Sequence, residues 1–177
     1  YKLKVTFVDK TTREYNIVVP KNYLEYPVTE MVADDGSHQT GNPNEGPGSF
    51  ALDNNLSTIW HTNWNGTRRE DAWISIDMGK VQPISMLKYV PRTSVANGII
   101  TKYAIYVKSD EDDQWTKVET KNNIWERSTA VKYAEFDTIN ARYVKLHAEE
   151  SYTTTSSIYA SAAEIRLGIE KNDEEGR

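Results

Sequence analysis

The chain has 177 residues and a formal net charge of -5, so it has the length of one ordinary domain and lacks the clustered basic surface that nucleic-acid binding requires. It has no cysteine, which excludes a disulfide framework, thiolate catalysis and a Cys-ligated zinc site. No apolar run approaches the ~18 residues of a membrane span. Tyr and Trp greatly outnumber Phe, and because they combine an apolar ring with a polar tip, they suit half-exposed binding surfaces as well as cores.

The first residues predict a β-hairpin. Lys2–Val8 alternates apolar and polar side chains, Asp9–Arg13 is a turn, and Tyr15–Val19 is the second strand. Because the chain starts within a strand and carries neither a signal peptide nor an initiator Met, we expect it to be a piece of a longer protein. We therefore assign residues 1–27 to the edge of a preceding module or a linker, with a first hairpin of the following domain as the alternative.

Residues 33–49 are dense in Gly, Pro, Asn and Asp, which predicts a loop. Short strands then recur at regular intervals between turns, a pattern typical of an antiparallel sandwich or barrel. The predicted strands are Ala72–Asp77, Ile84–Val90, Thr101–Lys108, Gln114–Glu119, Lys132–Phe136, Arg142–Ala148 and Ala163–Leu167. The sequence thus predicts an all-β domain over residues 28–169 and a charged, disordered tail over residues 170–177.

Three polar side chains fall in the turn-prone stretch Phe50–Thr58, namely Asp53, Asn55 and Thr58. Such a stretch can wrap backbone carbonyls, a carboxylate and a hydroxyl around one calcium ion, which prefers about six to eight hard oxygens at ~2.3–2.6 Å. The stretch is not an EF-hand, because it lacks the Gly and the Glu of that loop. By itself it is more typical of a capped turn than of a metal site.

Trp60 and Trp64 flank His61. Trp faces pack against the C–H groups of sugars, and a His can hydrogen-bond a hydroxyl. Strand alternation predicts Trp60 in the core and His61 on the opposite, exposed face. That arrangement fits a sugar contact and a solvated strand histidine equally well.

Arg92 follows a predicted strand and Asn97 lies in the next turn, so both side chains can reach the same rim. Arg presents a rigid fork of donors, while Asn offers one acceptor and two donors, and together they match the vicinal hydroxyls of a sugar. Taken alone, the pair is more typical of a surface Arg and an Asn-Gly turn than of a sugar site. Glu164 stands among small residues at the entry to the last predicted strand, where a carboxylate needs a cation, an Arg or a Lys as its partner.

The motifs, in their order along the chain, resemble one family. They are Ala51-Leu52-Asp53, Thr58-Ile59-Trp60-His61, Trp73-Ile74-Ser75-Ile76-Asp77-Met78-Gly79, Pro91-Arg92, Asn97-Gly98-Ile99-Ile100-Thr101-Lys102-Tyr103, Trp115, Ala141-Arg142-Tyr143-Val144-Lys145-Leu146 and Ser161-Ala162-Ala163-Glu164-Ile165. Over residues 28–169 the chain resembles the discoidin or coagulation factor five/eight type C superfamily and, within it, bacterial carbohydrate-binding module family 32. The resemblance implies a galactose-binding-domain-like β-sandwich jelly roll with a structural calcium ion, preceded here by the β-hairpin extension.

The resemblance also implies the calcium ligands. They are the carbonyls of Phe50, Asn55 and Ala163, the carboxylates of Asp53 and Glu164, and the carbonyl and hydroxyl of Thr58. The ion would pin the chain near its two ends without taking part in chemistry, and it would be the partner that Glu164 needs.

In galactose-binding members of this family a His, an Arg and an Asn grip the sugar while an aromatic ring stacks on its apolar face. The residues that match are His61, Arg92 and Asn97, with Tyr159 as the expected stacking ring, Trp64 as the other candidate and Glu45 as a further acceptor. The resemblance thus implies binding of terminal galactose or N-acetylgalactosamine, although other members bind other glycans, lipids or proteins. A single shallow stack predicts weak binding, which neighbouring modules would strengthen by avidity.

No catalytic motif accompanies these residues. The sequence has no nucleophile elbow, zinc-protease pair, phosphate loop or dinucleotide fingerprint, and its acidic pairs, Asp34-Asp35 and Asp110–Asp113, are typical of solvated turns rather than of a glycosidase. We therefore expect a non-catalytic module of a larger secreted or cell-surface glycan-active protein, with glycans and the parent's other modules as partners. A protein-binding or adhesion module on the same fold is the alternative. Lipid binding is not expected, because Trp64 with Arg68-Arg69 is the only hint of it.

Overall fold

The computed structural model describes residues 2–16 and 21–171. The strands in these residues are β1 (Lys2–Thr6), β2 (Thr12–Asn16), β3 (Tyr23–Glu25), β4 (Val32–Asp35), β5 (Glu45–Gly46), β6 (Ile59–His61), β7 (Trp73–Val90), β8 (Ile100–Lys108), β9 (Thr116–Val118), β10 (Lys132–Ser151), β11 (Ser161–Ala162) and β12 (Glu164–Glu170). Short 3₁₀ helices cover Val28–Glu30, Gly48–Leu52 and Arg69–Asp71. None of the helices in the described residues is long and apolar enough to cross a membrane.

The strands form an antiparallel β-sandwich, which confirms the predicted fold class. The largest sheet has the order β3-β12-β7-β10-β8-β9, with β4 also paired to β7, and its pairs are antiparallel. A smaller sheet has the order β11-β6-β5, in which β11 and β6 are antiparallel and β5 and β6 are parallel.

The two longest strands, β7 and β10, each join two strands that the sequence predicted separately. In β7, Gly79 has a φ of +76°, a conformation that glycine adopts without steric cost. In β10, the pairing register shifts between Glu135 and Ile139 and again between Ala141 and Tyr143. A bulge bends a strand without ending it, so the two halves stay in one ladder across sequence that contains turn residues.

An aromatic stack forms part of the core. Trp125 stacks on Tyr89 with ring centroids 4.9 Å apart and on Tyr103 at 3.9 Å, and such pairs contribute about 0.5–1.5 kcal/mol beyond the area they bury. The Tyr89 hydroxyl donates to Ser161 O at 2.9 Å and accepts from Ile100 N at 3.2 Å. Because Ser161 lies on β11, this hydrogen bond ties the core to the small sheet.

The N-terminal hairpin is confirmed, since β1 pairs with β2, although residues 17–19 of its predicted second strand lie outside the described residues. β3 pairs with β12, and Tyr26 N donates to Leu167 O at 2.9 Å. A segment that the sequence placed in the N-terminal extension therefore adds to the large sheet, and the division of the chain at residue 27 stays a prediction. Glu170, where the predicted tail begins, ends β12, and residues 172–177 lie outside the described residues.

The prediction of a loop over residues 33–49 was wrong in part, because β4 pairs with β7 and β5 pairs with β6 within it. Side-chain hydrogen bonds of Asp35, the last residue of β4, connect this strand to the residues that follow it. The Asp35 carboxylate accepts from Gly48 N at 2.8 Å and lies 2.9 Å from His38 Nδ1. Local composition could not reveal β4 and β5, because each becomes a strand only by pairing with β7 or β6, which lie later in the chain.

Candidate functional site

The loops beside the small sheet surround a cavity of about 390 Å³. Its lining residues are Glu45, His61, Trp64, Arg92, Ala96, Asn97 and Tyr159. All six residues that the sequence grouped as sugar contacts therefore lie around one cavity, although they are spread over more than a hundred positions of the chain. Ala96 was not expected, and a small apolar residue before an Asn carries no signal that could have identified it.

The small sheet positions the histidine. His61 ends β6 and pairs with Ser161 of β11, while Gly98 lies against both side chains. A Cβ atom at Gly98 would lie 3.1 Å from His61 Nε2 and 2.7 Å from Ser161 Oγ, and its φ is +97°. Only glycine fits this position without strain, so the Asn-Gly turn lets the loop close over the imidazole.

His61 is 2% exposed, which corrects the prediction that it faces solvent. The loops around Gly98 and Tyr159 cover the strand face that alternation had assigned to water. His61 Nδ1 lies 2.7 Å from Thr62 O, and because a carbonyl only accepts, Nδ1 carries the proton. Burial lowers the pKa of His61 below its ordinary value, so at neutral pH the ring is uncharged and Nε2 is an acceptor.

Arg92 and Glu45 form an ion pair at the cavity wall. Arg92 Nη2 donates to Glu45 Oε1 at 3.1 Å, and Arg92 Nη1 donates to Asn97 O at 3.2 Å. The other oxygen, Glu45 Oε2, accepts from Trp64 Nε1 at 3.2 Å. One carboxylate thus fixes both the guanidinium and the indole, which come from separate loops.

Asn97 is oriented by a residue that the sequence did not single out. Asn97 Oδ1 accepts from Thr154 N at 2.9 Å and from Thr154 Oγ1 at 3.3 Å. No protein acceptor for the Asn97 side-chain nitrogen occurs in the described part of the chain, which leaves both of its N–H groups for a ligand. The hydroxyl-rich run before Tyr159 was the available signal for Thr154.

The two candidate stacking rings differ in exposure. Trp64 is 47% exposed, whereas Tyr159 is 8% exposed and donates its hydroxyl to Trp64 O at 3.2 Å. The His61 ring is near both, with centroid distances of 6.4 Å to Trp64 and 5.9 Å to Tyr159. Trp64 therefore offers the larger open ring surface, and Tyr159 forms an inner wall of the cavity.

Three of the predicted calcium ligands are neighbours in one turn. Thr58 Oγ1 donates to Asp53 Oδ2 at 2.6 Å and lies 2.9 Å from Asn55 O, and Asn55 N donates to Asp53 Oδ1 at 2.8 Å. Phe50 precedes this turn on the 3₁₀ helix Gly48–Leu52, which contacts β12.

The remaining predicted ligands lie at the start of β12. Ala163 N donates to Val90 O at 2.9 Å. Glu164 is 4% exposed, with Oε2 accepting from Arg166 Nη1 and Oε1 buried without a partner in the described residues. Arg166 Nη2 also donates to Asn54 Oδ1 at 2.7 Å, so β12 and the turn are joined. Arg166 was missed, although its spacing from Glu164 places both on one strand face.

The chemistry of this region suits a hard cation that relies on the backbone. Among the described residues no group of three or more His, Cys, Asp and Glu side chains is arranged to hold a metal. A cation here would therefore need carbonyl and hydroxyl oxygens beside the carboxylates, which is a donor set typical of calcium. The unpaired Glu164 Oε1 is the observation that favours such a partner.

Comparison with known proteins assigns the chain to a family. The family model described as F5/8 type C domain matches residues 34–165. The chain is 33% identical over 141 residues to a sialidase of Micromonospora viridifaciens, which covers 77% of this chain and 21% of the sialidase. The chain thus spans about a fifth of the length of that curated relative.

Two solved structures from Clostridium perfringens match most of this chain and nearly all of their own length. CpGH89CBM32-5, in complex with GalNAc-β-1,3-galactose, has a TM-score of 0.69 and 30% identity, covering 81% of this chain and 99% of that one. The family 32 carbohydrate-binding module of NanJ, in complex with galactose, has a TM-score of 0.68 and 32% identity, covering 84% of this chain and 100% of that one.

Proposed function

The chain belongs to the F5/8 type C domain family and, within it, to carbohydrate-binding module family 32, and from this premise we propose that it is a non-catalytic module that binds terminal galactose or N-acetylgalactosamine. The observation that carries the proposal is the convergence of His61, Arg92 and Asn97 with an exposed Trp on one cavity of about 390 Å³. That volume lies in the range typical of small-ligand sites.

The polar groups divide the work of recognition. The neutral His61 accepts a sugar hydroxyl at Nε2, while Arg92 and the Asn97 amide donate to neighbouring hydroxyl oxygens. A galacto-configured ring places its axial hydroxyl among these groups and leaves a C–H face for Trp64. The galactose and GalNAc-β-1,3-galactose bound by the two related modules support this sugar class.

Weak binding follows from the same geometry. Trp64 is nearly half exposed, so a bound sugar keeps contact with water and gains little from desolvation. We therefore expect affinity in the high micromolar to millimolar range. The parent is proposed to be a secreted or surface glycan-active protein, in which other modules raise the avidity.

A binding role is also supported by the state of the acidic residue in the cavity. Glu45 is the carboxylate among the lining residues of the described chain, and both of its oxygens accept hydrogen bonds, from Arg92 and from Trp64. Hydrolysis of a glycosidic bond requires two carboxylates that face the same bond. We assign Glu45 to positioning rather than to proton transfer.

A structural calcium ion completes the proposal. Its ligands would be the oxygens of the Asp53–Thr58 turn, Phe50 O, Ala163 O and the Glu164 carboxylate. The ion would neutralise the buried Glu164 Oε1 and would hold the turn against β12.

A glycan array with calcium present tests the sugar function. The unchanged chain and its Arg92→Ala variant are compared, with Arg142→Ala as the control, because Arg142 is also ion-paired, to Asp77, but does not line the cavity. We expect signal on galactose- and N-acetylgalactosamine-terminated glycans that Arg92→Ala loses and Arg142→Ala keeps. A folded chain that binds no glycan would overturn the proposal in favour of a protein-binding or adhesion module.

A further inference from the structure

The chain contains two Asn-Gly pairs, and both lie at the sugar cavity. Asn97 lines the cavity and precedes Gly98. Asn65 follows Trp64, which also lines the cavity, and precedes Gly66. An asparagine side chain is attacked most readily by the nitrogen of a following glycine, because glycine carries no side chain that hinders the approach. The local structure therefore decides which of the two pairs can react.

Hydrogen bonds hold both reacting groups of the Asn97–Gly98 pair. Asn97 Oδ1 accepts from Thr154 N at 2.9 Å, and Gly98 N donates to Tyr152 O at 2.9 Å. Gly98 is also buried against the His61 side chain. The amide must leave Thr154 and the glycine nitrogen must leave Tyr152 before the two can meet, so this pair is protected in the folded chain.

The Asn65–Gly66 pair has neither constraint. Both residues are exposed, and a Cβ atom placed on Gly66 would have no described residue within 4 Å apart from its chain neighbours. Within residues 2–16 and 21–171, neither the Asn65 side chain nor Gly66 N makes a hydrogen bond. Asn65 N donates to Asn63 Oδ1 at 2.7 Å. The turn is thus anchored just before the reacting groups and free at the groups themselves.

We propose that Asn65 is a site of spontaneous deamidation at the edge of the sugar cavity. Gly66 N bonds to Asn65 Cγ, the bond from Cγ to the amide nitrogen breaks, and ammonia leaves with the proton from Gly66 N. Water then opens the resulting five-membered succinimide at either carbonyl, which gives aspartate or isoaspartate at position 65. The overall reaction exchanges ammonia for water and consumes no oxidant, reductant or other reagent.

The products change the loop that carries Trp64. Isoaspartate adds one backbone atom between Asn63 and Thr67, and the Thr67 hydroxyl holds this turn by donating to Asn63 O at 2.8 Å. Either product places a negative charge directly after Trp64, whose indole is fixed by the Glu45 carboxylate at 3.2 Å. Deamidation therefore weakens the proposed sugar site. This consequence rests on the proposed sugar function, whereas the chemistry at Asn65 does not.

Peptide mapping by mass spectrometry, after incubation of the folded chain at mildly alkaline pH, tests the chemistry. We expect Asn65 to convert about tenfold or more faster than Asn97, because two hydrogen bonds must break at the second site. Hydroxylamine, which cleaves succinimides, should cut the chain between residues 65 and 66. Equal rates at the two sites in the folded chain, or an Asn65 that stays intact, would overturn the proposal.

Two controls separate the effect of structure from that of sequence. In urea the hydrogen bonds of both turns are lost, so Asn65 and Asn97 should convert at similar rates. Asn65→Gln lengthens the side chain so that attack would have to close a less favourable six-membered ring, and this variant should resist hydroxylamine between residues 65 and 66. Cleavage of Asn65→Gln at the wild-type rate would contradict the assignment of the reacting group.

Calorimetric titration of galactose tests the consequence for binding. The deamidated wild type should bind galactose about threefold or more weakly than the fresh chain, the effect expected when a stacking contact is disturbed. Asn65→Gln should bind equally before and after the same incubation. If Asn65 converts and the affinity stays the same, the effect on the site is overturned and the chemistry stands. If the fresh folded chain binds no galactose, the sugar function and the proposed effect on it both fall, while conversion at Asn65 still supports the modification site.

Discussion

Single residues in the cavity fix one another before any sugar arrives. Glu45 holds Arg92 and Trp64, Thr154 holds Asn97, and Gly98 closes on His61. Groups that are already oriented lose little side-chain entropy on binding, which improves affinity at a site with few contacts. The burial of His61 also lowers its pKa, which makes the stability of the fold depend on pH.

His61 makes stability depend on pH in a defined direction. Because burial lowers its folded pKa, the unfolded chain takes up a proton near the ordinary histidine value of about 6.5 while the folded chain does not. The contribution to stability is therefore present above that value, and it is lost as the pH falls toward the folded pKa. We expect the thermal midpoint of the wild type to fall more between pH 7 and pH 5 than that of His61→Gln. Parallel melting profiles for the two chains would contradict this assignment.

The sequence identified the contacts that carry a motif and missed those that depend on a neighbouring loop. His61, Arg92 and Asn97 could be grouped because their order and spacing resemble a family pattern. Thr154 and Arg166 were missed, because neither belongs to that pattern and each acts by orienting a residue that is distant in the chain. Alternation also placed His61 in water, since it describes a strand and contains no information about the loops that pack over it.

At the scale of elements, strand positions were predicted better than strand lengths. The alternating segments were found, but β7 and β10 run through positions that look like turns because bulges and Gly79 keep them in one ladder. The shortest strands, such as β5 and β11, were missed. Two residues carry no periodicity, and only pairing with β6 makes them strands.

β3 gives a test of where the folded unit begins. Beyond its pairing with β12, Tyr23 hydrogen-bonds Glu135, and Lys21 Nζ lies 2.9 Å from the same carboxylate. β1 and β2 form a separate two-stranded sheet. A chain that starts at Lys21 should therefore melt within about 2 °C of the full chain.

A chain that starts at Val28 loses β3 and its partners. At about 0.5–1.5 kcal/mol for each hydrogen bond, the loss is roughly 2 kcal/mol or more, which corresponds to a thermal midpoint about 4–8 °C lower for a domain of this size. Differential scanning calorimetry of the three chains makes the comparison. Equal midpoints for the Lys21 and Val28 chains would instead support a domain edge at residue 27.

At the scale of the whole molecule, the proposed sugar site and the proposed calcium site depend on the same two parts of the chain. The turn Asp53–Thr58 leads directly into β6, which ends at His61, and β12 follows directly after β11, which pairs with β6. A cation that joins this turn to Glu164 would therefore stabilise the small sheet by linking the segments next to β6 and β11. We expect calcium to act through stability, with sugar affinity changing only where the loops loosen.

Thermal unfolding with and without chelator tests that arrangement. At a calcium concentration about a hundred times the dissociation constant, binding to the folded chain adds about 2.7 kcal/mol, which raises the midpoint by roughly 5–10 °C for a chain of this length. Magnesium should not substitute, because it requires a tighter, more regular oxygen shell.

Glu164→Gln should abolish the calcium-dependent shift, since it removes the charge at the buried Oε1. Glu149→Gln, which alters a carboxylate paired with Lys117 on another part of the surface, should retain it. An unchanged wild-type midpoint in chelator, or a full shift in Glu164→Gln, would mean that Arg166 alone neutralises Glu164 and that the sandwich needs no metal.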